Sequence, residues 1–185
     1  MNQRTPLRKQ LVDAWNECID CDYQRQRINS ERSLQASFWA KLNSSLSAKN
    51  RRLFIEPRMS VREPGSGKVH TRYPDIVVCN TRQIIGIVEL KYQPRVKPHW
   101  QKDLETFDLI DQFRSQISVS NERFLGVKVD KRPYPLAKDV LFVWAGVHAE
   151  WPHEIGKHAS ARLQGSFLEL HADTSNGSEA TVRWA

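Results

Sequence analysis

Residues 74–91 read Pro-Asp-Ile-Val-Val-Cys-Asn-Thr-Arg-Gln-Ile-Ile-Gly-Ile-Val-Glu-Leu-Lys, and they limit the fold more than any other stretch. Ile76-Val77-Val78 and Ile84-Ile85 with Ile87-Val88 are short β-branched runs, the signal of strands buried on both faces. Asn80-Thr81-Arg82-Gln83 between them is polar enough for a tight hairpin turn, although the Asn-Gly signal is missing. Alternation along the second strand points Glu89 and Lys91 to one side and Leu90 to the other. The hairpin then returns Asp75 to the neighbourhood of Glu89. Two carboxylates and an ammonium group converge at one end of an otherwise apolar strand pair.

Neighbouring carboxylates repel, and each resists ionising where water is scarce. A divalent cation removes that conflict. Hard oxygen donors suit Mg²⁺, which typically takes one or two carboxylates and completes its shell with water and phosphate oxygens. Mn²⁺ is the expected substitute. Such an ion would acidify a water and polarise a phosphodiester, with Lys91 orienting that water or stabilising developing negative charge. One acid and one lysine alone would read more simply as a salt bridge at a solvated strand end. The full Pro-Asp and Glu-x-Lys pattern within two apolar strands favours the metal site.

Pro74-Asp75 followed by Glu89-Leu90-Lys91 resembles the PD-(D/E)xK nuclease superfamily, of restriction-endonuclease-like fold. The resemblance covers roughly residues 30–117. It implies that Asp75 and Glu89 bind the metal, that the Leu90 carbonyl adds a ligand, and that Lys91 assists the attacking water. It also implies a core of helix, three-strand meander, helix and strand. The front of the chain fits that order. Residues 30–42 read as a helix, with Ser30 as N-cap and Leu34, Phe38 and Leu42 at four-residue spacing. Residues 53–57 read as the first strand. Glu31 lies in the first turn of the helix, where the family often carries another acid. The helix macrodipole alone also favours an acid there. Glu56 precedes Pro57, so extended backbone at a solvated strand end is expected.

The 185 residues make one domain of ordinary size: 1–29 a helical extension, 30–147 the nuclease-like core, 148–185 a C-terminal addition. The expected fold class is α/β, a central mixed β-sheet flanked by helices. With 39% hydrophobic and 26% charged residues, a soluble globule is favoured over a disordered chain. No apolar stretch reaches membrane-spanning length and no apolar signal region follows Met1, so a cytoplasmic address is expected. The net charge of +7 attracts polyanions. Lys49, Arg51, Arg52, Arg58, Arg62, Lys68 and Arg72 surround the first strand and its long turn. Tyr92, Arg95, Lys97, His99, Trp100 and Lys102 interleave base with aromatic, which suits phosphate contacts and base stacking. From these sets Arg58, Arg62, Arg72, Tyr92, Arg95, Lys97 and Trp100 are the expected nucleic-acid contacts.

Elsewhere the sequence speaks of organisation. Residues 6–28 look helical, with Leu11, Trp15, Cys18 and Ile19 on one face. Cys18 and Cys21 have CxxC spacing but no second pair, and Cys79 reads as a small strand residue. Residues 63–72 read as a turn, 92–99 as a loop, and 101–117 as a helix with the stripe Leu104, Phe107, Ile110, Phe113 and Ile117. Asp103, Glu105, Asp108 and Asp111 form its expected solvated side, and Gln112 can reach substrate. Strands are expected at 124–129, 140–147, 166–171 and 179–184, and a helix at 151–163. His148, His153, His158 and His171 read as satisfied or solvent-facing imidazoles, since no HExxH spacing exists.

These features point to a Mg²⁺-dependent nuclease acting on nucleic acid, DNA in preference to RNA, with Asp75, Glu89 and Lys91 catalytic and Glu31 assisting. The alternative is a non-catalytic DNA-binding or protein-interaction module on the same scaffold. An enzyme for a smaller phosphoester is a third reading, which the spread of basic residues disfavours. Pairing as a homodimer, to cut both strands, is left open.

Overall fold

The computed structural model describes residues 4–46, 51–119, 122–149, 155–175, 177 and 179–185. Lys49, His153 and the first residues of the expected 151–163 helix lie outside them. A mixed sheet is flanked by helices on both faces. In chain order the elements are α1 (Thr5–Cys18), continued by a π-helical turn at Ile19–Tyr23, then α2 (Glu31–Ser45), β1 (Arg52–Ile55), β2 (Met59–Arg62), β3 (Val69–Arg72), β4 (Ile76–Cys79) and β5 (Ile84–Gln93). There follow α3 (Gln101–Gln112), β6 (Ile117–Val119), β7 (Arg123–Leu125), β8 (Lys128–Asp130), β9 (Tyr134–His148), β10 (Phe167–Asp173) and β11 (Thr181–Trp184).

The 74–91 hairpin forms as the sequence demands. Ile76 pairs with Val88 and Val77 with Ile87, antiparallel, and a bulge between Val78 and Cys79 closes the turn. The Asn80 side chain replaces the missing glycine signal: its Oδ1 accepts from the Arg82 and Gln83 amides at 2.8 and 2.7 Å. β1 adds antiparallel to β4, and β9 adds parallel to β5. Helix α2, the β1-β4-β5 meander, helix α3 and parallel β9 therefore follow one another in the expected order, with the β2-β3 hairpin inserted. β10 joins β9 in parallel and β11 closes that edge, so residues after 148 supply two strands of the same sheet. The first residues of β9 pair instead with β6, which carries β2 and β3.

Each face of the sheet has its own apolar core. Ile76, Val78, Val88 and Leu90 meet α1 and α2 through Leu11, Trp15, Leu34, Phe38 and Leu42. Val77, Ile87, Phe142 and Trp144 meet α3 through Leu104, Phe107 and Ile110. The Ser30 cap is present: its Oγ accepts from the Ser33 amide at 3.2 Å, and the Ser33 hydroxyl accepts from the Ser30 amide at 3.0 Å. No helix among the described residues is long and apolar enough to cross a membrane.

Several expectations give way. Residues 63–72 are only partly turn, because 69–72 pair with 59–62 as strands. Tyr92 belongs to β5 rather than to a loop. The helix from 101 ends at Gln112, and Ile117 opens β6 opposite Val61. Ile117 fits helical spacing and strand alternation equally, and the strand partner decides. Residues 124–129 fold back at Gly126-Val127 into the β7-β8 hairpin. β9 starts at Tyr134, earlier than expected. The described part of 151–163 holds a short 3₁₀ turn at Ile155–His158 in place of an α-helix. Glu56 sits at a strand end, but with φ 44°, in the left-handed region rather than extended.

Candidate active site

Asp75, Glu89 and Lys91 lie on the α3 face of the hairpin. The register that sets Ile76 opposite Val88 carries Asp75 to the level of Glu89. Asp75 is fixed from two directions: its Oδ2 accepts from the Leu90 amide at 2.6 Å, and Gln35 of α2 donates to its main-chain carbonyl at 3.0 Å. Lys91 Nζ donates to the Leu90 carbonyl at 3.2 Å and pairs with Asp103 Oδ1 at 3.2 Å. Glu31, at the start of α2, accepts from the Tyr92 amide at 3.3 Å. These groups open into a pocket of about 630 Å³ that includes Glu31, Asp75, Glu89, Lys91 and Asp103 among its walls. Thr71, Arg72 and Tyr73 border it from the end of β3, and His99, Lys102, Glu105 and Thr106 from the start of α3.

The electrostatics are those of an acid pair short of cations. Burial, opposed by the Leu90 amide and aided by Glu31, pushes the Asp75 carboxyl up to about 6. Glu89 is held well above the usual carboxylate range by burial, then by the charges of Asp75 and Asp103, with a hydrogen bond to Asp75 adding to the effect. Asp103 is also raised by burial, against the pull of Lys91 and Trp144. For Lys91 burial is the largest single influence and lowers its pKa, but Asp103, Glu31 and Glu89 outweigh it and the net shift is upward. Five acids line the pocket (Glu31, Asp75, Glu89, Asp103, Glu105) against four bases, Arg72, Lys91, His99 and Lys102.

That donor set fits a hard divalent cation. Asp75 and Glu89 offer adjacent carboxylate oxygens, and the uncompensated negative charge is what such an ion neutralises. The Leu90 carbonyl also faces this region but accepts from Lys91 here. Among the described residues no three His, Cys, Asp or Glu side chains already form a coordination cluster. Two carboxylates with an incomplete shell match the way Mg²⁺ is usually bound, beside its waters and a substrate phosphate.

Asp103 is the main correction to the sequence reading. The helical pattern puts it on the solvated side of α3, yet it is 4% exposed and accepts from the indole of buried Trp144 at 3.1 Å. Of the other acids on that side, Asp108 accepts from Ser160 and Asp111 pairs with Arg114, while Glu105 is exposed as expected. Gln112 is exposed and lies outside the pocket walls.

The expected nucleic-acid contacts divide. Arg72 lines the pocket. Arg58, Arg62, Arg95 and Lys97 are exposed away from its walls. Tyr92 faces the opposite side of the sheet, where its ring meets Tyr23 and its hydroxyl donates to the Ile28 carbonyl at 3.0 Å. One face of Trp100 is covered by His158, with ring centroids 4.6 Å apart. Tyr73, 61% exposed at the pocket border, is a residue that sequence reasoning misses. Its only signal is its place beside Pro74-Asp75.

Two other sequence features resolve outside the pocket. His148 and His171 are buried in a chain in which His148 Nε2 meets His171 Nδ1 at 3.0 Å and His171 Nε2 meets Glu169 at 3.0 Å. Cys18 contacts the Ser37 hydroxyl at 3.2 Å, and burial raises its thiol to about 11, so it is inert at neutral pH.

No family model matches the chain, and no curated protein matches it. Among solved structures, NucC of P. aeruginosa ATCC27853 in its cAAA-bound form is similar at 11% identity and a TM-score of 0.45, over 97% of this chain and 82% of that one. NucC of E. coli MS115-1, also cAAA-bound, is similar at 10% identity and a TM-score of 0.43, over 97% and 81%. At these values the likeness adds no weight to the reading of the site, which rests on the geometry above.

Proposed function

We propose that this chain is a divalent-metal-dependent nuclease of the PD-(D/E)xK type, acting on DNA in preference to RNA. One observation carries the reading: Asp75, Glu89 and Lys91 meet in one open pocket whose acids outnumber its bases. Evolution rarely leaves desolvated, mutually repelling carboxylates in a cleft without a task, and perturbed acids in a pocket are candidate functional groups for that reason. Asp75 and Glu89 would hold Mg²⁺ or Mn²⁺, with the second lone pair of the Leu90 carbonyl a further donor. When bound there, the ion would acidify a water and polarise the scissile phosphodiester.

The protein's own groups do the rest. The Leu90 amide fixes the direction of the Asp75 carboxylate, and Gln35 holds the Asp75 main-chain carbonyl. The Lys91 ammonium has three N–H groups, of which Leu90 and Asp103 engage two, leaving one for the attacking water or a phosphate oxygen. Glu31 would assist from the rim, held there by the Tyr92 amide. Arg72 and Lys102 sit where they would take the flanking phosphates, and Arg58, Arg62, Arg95 and Lys97 would extend the basic track.

The deciding assay uses labelled single- and double-stranded DNA and RNA with Mg²⁺, Mn²⁺ or EDTA. Cleavage is expected with either metal and not with EDTA. Lys91→Ala should lose roughly 100-fold or more of the rate while keeping its affinity for nucleic acid. In calorimetry with Mn²⁺, Asp75→Ala should bind far more weakly than wild type. If wild type and Lys91→Ala are equally inactive on all four substrates while both still bind, the non-catalytic module is the better account.

A further inference from the structure

The aspartate that the helical pattern assigns to a solvated face is the best-anchored acid of the site. Asp103 sits in the first turn of α3, 4% exposed, with both carboxylate oxygens engaged: Oδ1 by Lys91 at 3.2 Å and Oδ2 by the Trp144 indole N–H at 3.1 Å. Trp144 is itself fully buried in β9, its ring against His148 and His171 at centroid distances of 6.1 and 5.3 Å. The indole can lie there because residue 146 is glycine. A Cβ at that position would stand 2.3 Å from the Trp144 ring. A continuous line of contacts thus runs from the core of the sheet, through Trp144 and Asp103, to a flexible lysine side chain at the pocket.

A lysine on a four-carbon stem gains nothing from being near the chemistry unless something fixes its rotamer. We propose that Asp103, held by Trp144, is a positioning residue that fixes the Lys91 ammonium beside the Asp75–Glu89 pair and does not itself bind the metal. This rests on the nuclease reading of the site. The geometry explains why an acid is buried on α3 beside two others: its oxygens face the lysine and the indole. It also sets Asp103 apart from Asp75, whose carboxylate is held by the Leu90 main-chain amide and lies against Glu89.

Asp103→Asn keeps the shape but cannot accept from both Lys91 and Trp144. Trp144→Phe keeps an aromatic ring while removing the N–H donor together with part of the indole's volume, so it serves as a second, independent break if the first variant folds poorly. Three readouts are combined. For cleavage, kcat of Asp103→Asn should fall by roughly 10- to 100-fold with KM within about two-fold, since misplacing a catalytic group costs on that order. Trp144→Phe should lose less, and the double variant should be no slower than Asp103→Asn, because both changes break one line of contacts. Mn²⁺ affinity of Asp103→Asn should stay at the wild-type value. The third readout needs no activity: acetylation of Lys91 by a small amine reagent, followed by peptide mass spectrometry, should accelerate several-fold in both variants.

Unchanged Lys91 labelling would overturn the proposal, as would an Mn²⁺ affinity that drops in Asp103→Asn as it does in Asp75→Ala. If wild type cleaves nothing while labelling still accelerates, the nuclease reading falls and the Asp103–Lys91 anchor stands.

Discussion

The Asp75 carboxyl is held to about 6 mainly by burial, and that places a cost on the folded protein at neutral pH. The sign follows from proton binding. Between the ordinary aspartate range near 4 and about 6, the folded chain holds a proton that the unfolded chain has lost, so stability falls as pH rises through that window. Glu89, raised in the same direction, extends the loss upward. Other carboxylates oppose this trend: Asp130, hydrogen-bonded by Arg132 and Arg123, is depressed and favours the folded state as pH rises. The informative quantity is therefore the difference between wild type and Asp75→Asn. Without divalent metal, Asp75→Asn should melt at nearly the wild-type temperature at about pH 4 and distinctly above it at about pH 7. Saturating Mn²⁺ should close the gap at neutral pH by stabilising wild type alone, since a ligand bound only to the native state raises the apparent stability. Thermal melts at the two pH values, with and without Mn²⁺, check both statements. A difference that is the same at both pH values would remove Asp75 from the group of strained acids.

At the level of elements, the side chains of the candidate site come from four places (the start of α2, the entry to β4, the second half of β5 and the first turn of α3), and β9 backs the last of these. Gly146 of β9 tests that dependence. Replacing it with alanine drives a methyl group into the Trp144 ring, and overpacking of this kind costs about 1–3 kcal/mol. The indole must tilt, so the bond to Asp103 should lengthen. Gly146→Ala is then expected to melt lower and to lose cleavage beyond what its folded fraction explains. Gly86→Ala, whose Cβ would meet its neighbours at ordinary distances near 3.4 Å, should lose neither to the same extent. What can be read from the sequence follows from how local each signal is. The β4-β5 hairpin and α2 declare themselves within single continuous stretches of sequence, 74–91 and 30–42, by β-branched runs, a turn and a capped stripe. The strands β2, β3 and β6 have three or four residues each, and only their pairing across the chain makes them strands. Asp103 escapes for a related cause. On a helix of mixed charge nothing local separates a buried acid from a solvated one, and its partners Lys91 and Trp144 lie 12 and 41 residues away. Asp75, Glu89 and Lys91 are legible because the hairpin that joins them is itself local.

Over the whole molecule, a net charge of +7 surrounds a pocket whose own walls are acidic. Such a distribution draws a polyanion in at long range while its phosphates are repelled at the last step, unless a cation lies between. Affinity and chemistry should therefore separate by location. Arg95 and Lys97 are exposed between β5 and α3, outside the pocket walls, where they can meet phosphates without touching the reacting groups. The combined Arg95→Ala and Lys97→Ala changes should weaken binding alike for different sequences. They should also make its salt dependence shallower, by about one unit of log-log slope for each phosphate left without its cation. The maximal cleavage rate at saturating DNA should change little. Asp75→Ala and Glu89→Ala should show the converse: no cleavage, an unchanged salt slope and, in EDTA, equal or tighter binding, because a carboxylate facing phosphate has been removed. Fluorescence anisotropy from about 50 to 200 mM salt, beside single-turnover cleavage on the same duplex, measures both quantities. If Arg95 and Lys97 leave the slope untouched, the nucleic acid approaches instead past Arg72 and Lys102, and the same titration on those two positions should then recover the missing units.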